Sequence, residues 1–115
     1  MTEPTPLTLA ELIDESHSTA REKGWWENPR PFGEIIALFH SEVSEAFEAY
    51  RAGSDLTAIE IDENGKPEGV PVELADLLIR IADFCGGHDI PLEQALRIKL
   101  AYNRTRAYRH GGKLA

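Results

Sequence analysis

Apolar residues recur along this chain at helical spacing in four stretches, each bounded by Gly or Pro. From Leu9 to about Lys23 the inner face is Leu9, Leu12, Ile13, Ser16 and Ala20. Thr8, with Glu11 three residues on, has the spacing of an N-terminal capping box, and Gly24 marks the exit. With Pro4 and Pro6, residues 1 to 6 are expected to be disordered or extended. A second helix is predicted from Phe32 to Ala52, stopping at Gly53; its apolar stripe is Ile36, Phe39, Val43, Phe47 and Tyr50, widened by Ile35, Leu38 and Ala49. A third opens near Pro71 and ends at Gly86-Gly87, with Leu74, Leu78, Ile81 and Cys85 on its apolar side. A fourth runs from Pro91 to about His110. Between the second and third the period changes, because Ile59-Glu60-Ile61 alternates and Asn64-Gly65 is a two-residue turn signal. The pattern predicts an all-α chain: a four-helix bundle over residues 1–115, with a small β-hairpin inserted between helices 2 and 3.

The acidic residues change this picture, because some of them fall on the wrong faces for a solvated surface. Glu42 and Glu45 are three residues apart, as are Glu73 and Asp76, so each pair stacks on one side of its helix. Such a pair alone is usually an outer face. Glu42, however, lies inside the apolar arc of helix 2 and Glu45 at its edge, whereas Glu48 points away. A carboxylate projected among apolar side chains is costly to ionise unless it is paired or metal-bound. On helix 3, Glu73, Asp76, Arg80 and Asp83 form a narrow polar stripe that is either the exposed strip or the wall of a cleft. Asp76 with Arg80 also has the spacing of an ordinary i, i+4 ion pair. Side by side, the two helices would gather four carboxylates, and oxygen-only ligands suit a hard cation, Mg²⁺ or Mn²⁺.

Charge is distributed unevenly. The chain of 115 residues carries a net charge of −8, yet from Gln94 onward it has six Lys or Arg and no acid. An acidic body disfavours stable nucleic-acid binding, while a basic last helix suits a metal-bound polyphosphate; complementing the helix dipole is the plainer role for Arg109 and Lys113. Lys99, Asn103, Arg106 and His110 step by four, three and four and share one face. No apolar run approaches the roughly 18 residues of a membrane span, and the N-terminus lacks the features of a signal peptide. The single Cys85, on an apolar face, reads as a buried small hydrophobe in a reducing compartment. A cytoplasmic protein is expected.

The Glu42-Val43-Ser44-Glu45 and Glu73-Leu74-Ala75-Asp76 motifs, with the closing segment Lys99, Tyr102-Asn103, Arg104, Arg106 and Tyr108 to Lys113, resemble the MazG-like all-α nucleoside triphosphate pyrophosphohydrolases. The leading position of the family's Glu-Glu-x-x-Glu is Ser41 here, which removes one potential metal or water ligand. The resemblance implies Mg²⁺-dependent hydrolysis of a nucleoside triphosphate to the monophosphate and pyrophosphate, by a homodimer or homotetramer. Glu42, Glu45, Glu73 and Asp76 would hold the metal, with Glu42 or Glu45 as alternative base for the attacking water. His17 and Trp26, nine residues apart, correspond to a base pocket found in some members. Lys99, Asn103, Arg106 and Lys113 would contact phosphate, sugar or base.

Plainer readings compete at several of these positions. A lone helical His is more often structural, and Trp25-Trp26 would serve equally as a plug for the bundle end. A di-iron carboxylate bundle asks for Glu-x-x-His, which neither acidic motif provides. A noncatalytic helical dimer that binds nucleotides or acidic partners through its basic last helix is the remaining rival.

Overall fold

A computed structural model describes residues 4–108. Its order is α1 (Leu9–Glu22), α2 (Phe32–Arg51), β1 (Glu60–Ile61), β2 (Pro67–Glu68), α3 (Val70–Gly87) and α4 (Leu92–Thr105). The local signals explain these boundaries. Thr8 Oγ1 accepts from the Glu11 amide at 3.1 Å and donates to the Glu11 carboxylate at 3.0 Å, so two groups of the first turn are satisfied at once. Beyond α1, Gly24 adopts φ +88°, which a side chain would resist. Pro71 sits in the first turn of α3, where its missing N–H costs nothing.

The hairpin forms, with a turn longer than two residues. Glu60 pairs with Glu68 and Ile61 with Pro67. The Gly65 amide donates to the Asp62 carbonyl at 3.0 Å, and the Asp62 amide donates to the Lys66 carbonyl at 2.9 Å. Asp62 Oδ1 accepts from the Asn64 and Lys66 amides at 2.8 and 2.9 Å. Asp62 therefore organises a three-residue tip in which Gly65 alone takes positive φ.

Helix α3 is the spine: α1 and α2 both pack on it and hardly touch each other, which leaves a groove between them floored by α3. The close approach on the α1 side depends on the Gly86-Gly87 pair. A Cβ on Gly86 would lie 2.9 Å from His17 Cβ, and one on Gly87 would lie 2.1 Å from Trp26 Cη2. These glycines end the helix as expected, and they also form its contact surface.

Two expectations are corrected. First, the described chain does not close a four-helix bundle. α4 packs against no other element to a comparable extent; every residue from Glu93 to Thr105 is exposed, and Leu96, Ile98, Leu100 and Tyr102 face solvent. It also ends at Thr105 rather than near His110, as Arg106 turns extended with ψ 148°. Second, α2, and α3 in its first half, are rotated from the predicted inner faces. α2 turns Phe39, Glu42, Ala46 and Ala49 toward α3, while Val43, Phe47 and Tyr50 are more than half exposed. On α3, Leu74 and Leu78 point outward while Ile81 and Cys85 keep the predicted inner side. Of the polar stripe, Glu73, Asp76 and Asp83 are half-buried and Arg80 exposed, with Asp76, Arg80 and Asp83 lining a cleft, the second of the two expected alternatives. The α2 arc spans more than one face, so periodicity alone did not fix which part of it meets α3.

Candidate functional site

Glu42 is the most deeply placed ionisable residue in the groove, 5 % exposed. Arg80 Nε donates to its Oε1 at 2.5 Å, while Oε2 is buried with no hydrogen-bond partner. An unpaired carboxylate oxygen in the interior costs roughly 1–3 kcal/mol or more, so its surroundings matter. The Glu42 carboxylate has two others near it: one ligand oxygen each from Glu42, Glu73 and Asp76 lies within 4.8 Å of the others. The i, i+3 spacing on α3 supplies Glu73 and Asp76 from one face, and α2 delivers Glu42 across from them.

The electrostatics record the crowding. Burial, then the negative charges of Asp76, Glu45 and Glu42, then a hydrogen bond with Glu45, all push the Glu73 carboxyl above its ordinary value. Asp76 is pushed up by burial and by Glu42, against the opposing pull of Arg80 and of Lys66. Lys66 belongs to the hairpin tip, so the insert brings a positive charge toward the cluster. Three convergent carboxylates, one with an orphaned buried oxygen, fit a hard divalent cation in number and donor type.

The groove above the cluster encloses about 790 Å³ and is lined by Glu42, Asp76, Arg80 and Asp83 together with Trp25, Trp26, Phe39, Phe84 and His88. At the end away from the acids, Asp83 Oδ1 accepts from Trp26 Nε1 at 2.8 Å and pairs with His17 Nδ1 at 3.0 Å. A carboxylate only accepts, so His17 carries its hydrogen on Nδ1. The His17 and Trp26 rings meet edge-on at 4.9 Å, and Trp26 packs against His88 at 5.5 Å. Trp26 clamps the α1–α2 connection onto α3, and it also lines the groove.

The predicted residues divide clearly. Glu42, Glu73 and Asp76 converge; Glu45 is exposed and outside the trio, acting on it through Glu73. His17 and Trp26 meet through Asp83. Lys99, Asn103 and Arg106 are remote from the groove within one chain: they lie on or just beyond α4, and none lines the cavity. Lys99 and Arg106 instead lie over the Tyr102 ring, at 5.0 and 5.6 Å. Lys113, Arg109 and His110 fall outside the described residues. Asp83 was read only as part of a stripe, and Arg80 as part of it or as an ion-pair partner of Asp76. Arg80 pairs with Glu42 on another helix rather than with Asp76, a partnership without a local sequence signal.

Compared with family models, with curated proteins and with solved structures, the chain matches none of them.

Proposed function

We propose that the protein is a divalent-metal-dependent nucleoside triphosphate pyrophosphohydrolase, with Mg²⁺ as the working ion and Mn²⁺ as a substitute. The observation that carries this reading is Glu42, whose Oε2 is buried and unpartnered and whose carboxylate converges with those of Glu73 and Asp76 beside a groove that Glu42 and Asp76 line. Those three carboxylates would hold the metal, with Glu45 at the margin. When bound, such an ion polarises phosphoryl oxygens and lowers the pKa of a bound water. The chain's own residues supply the rest. Glu45, exposed beside the trio, would accept a proton from an attacking water. Arg80, between the acids and Asp83 on α3, gives the groove a cation for a phosphate oxygen. Trp26 and Phe39 offer aromatic wall for a base.

Self-association belongs to the same proposal: the exposed apolar residues of α2, α3 and α4 are covered by a second copy. A noncatalytic helical dimer remains the second reading, favoured by the unpacked, basic α4. Turnover separates the two. Purified protein with Mg²⁺ and a panel of nucleoside triphosphates should release pyrophosphate and monophosphate in equal amounts, and chelation should stop it. Absence of any product across the panel would leave the binding reading.

A further inference from the structure

Along the groove floor α3 presents Asp76, Arg80 and Asp83 at steps of four and three, one helical face. Asp83 lies seven residues beyond Asp76, about 10 Å of helix rise, the span of a nucleoside with its first phosphate. Its Oδ1 is fully used, taking the Trp26 and His17 N–H groups on its two lone pairs. Its Oδ2 has no protein partner among the described residues, on a side chain about one-fifth exposed that lines the groove. A carboxylate held rigidly by two donors thus keeps one acceptor oxygen for whatever fills the space beside Trp26.

We infer that Asp83 Oδ2 reads the base: the groove selects nucleotides whose base carries an amino group where others carry a carbonyl, that is, cytosine and adenine over uracil and hypoxanthine. The inference rests on the pyrophosphohydrolase reading for the placement of the triphosphate. An amino group donates to the carboxylate oxygen; a carbonyl at the same position brings two acceptors together, and neither is satisfied. The anchoring to His17 and Trp26 is what gives this selectivity, because Oδ2 is not free to swing away from an unsuitable base.

The test uses substrate pairs that differ only in that group, dCTP with dUTP and dATP with dITP, measured both by turnover with Mg²⁺ and by equilibrium binding. The wild-type protein should favour the amino member of each pair by about tenfold or more, the scale of one good base contact. Asp83→Asn keeps the Oδ1 acceptor for Trp26 and His17 but places an amide NH₂ in place of Oδ2, so the preference should collapse or invert. Equal treatment of each pair by the wild type overturns the inference, whether or not the variant folds. An unchanged preference in a folded Asp83→Asn does so too. Discriminating binding without hydrolysis would sink the pyrophosphohydrolase reading and leave the base selectivity standing, whereas no nucleotide binding at all would remove both.

Discussion

Glu73 is the residue at which electrostatic strain of the cluster should be measurable. Its carboxyl and that of Asp76 are both held above their ordinary values, by burial first and by neighbouring carboxylates second. Folded chains therefore bind protons there more readily than unfolded ones, and stability falls as pH rises through the window just above the ordinary carboxylate range. The metal-free protein should accordingly melt higher near pH 5 than near pH 7. Glu73→Gln removes one repelling charge, so it should raise the metal-free melting temperature at pH 7 by about 2 °C or more and flatten the pH response. Melting curves across that range, with a chelator present, check it; a wild-type melting temperature that only falls on acidification would contradict the repulsion. At this scale the sequence was informative about Glu42, because a carboxylate inside an apolar arc is visible from period alone. It was silent about the Asp83 node, whose partners lie 66 and 57 residues away in the chain.

The elements were legible wherever their signals are local. Caps, prolines and glycines placed α1, α2 and the start of α3 within a residue or two, and Asn64-Gly65 located the hairpin tip. Facing was not legible, since both α2 and α3 carry apolar residues around more than half their circumference, and tertiary contacts decide which part is covered. The uncovered part includes Val43, Phe47, Tyr50, Leu74 and Leu78, all exposed on α2 and α3. The unpacked α4 adds Leu96, Ile98 and Leu100, and carries Arg97, Lys99 and Arg104 against the acidic body. With a second copy covering these faces, light scattering should give a dimer or tetramer. Leu78→Glu, a charge placed on that face and 57 % exposed in the single chain, should shift the assembly toward monomer while leaving helix content intact. A wild-type monomer at micromolar concentration would refute the proposed self-association.

At the scale of the whole molecule, surface and size bear on the same proposal. Its accessible surface is 9336 Å², against about 6,300 Å² for a compact monomer of this mass. Its radius of gyration is 17.0 Å, against about 13 Å for a compact chain of this length. Only Ala46, Val70, Ala82 and Cys85 are buried hydrophobics among the described residues, and burial raises the Cys85 thiol above its ordinary value. No helix among those residues is long and apolar enough to cross a membrane. So small a core makes the buried Glu42 more telling: a chain that hides few apolar side chains completely nonetheless hides a carboxylate that has one oxygen unpaired and two further carboxylates close by. The most direct measurement is a Mn²⁺ titration of the wild type and of Glu42→Gln, followed by the loss of the free-ion paramagnetic signal. The wild type should bind Mn²⁺, and the isosteric variant should bind it about tenfold more weakly or worse, having lost the central charge of three. Equal binding by the two proteins, or none by either, would mean that Glu42, Glu73 and Asp76 are not a cation site.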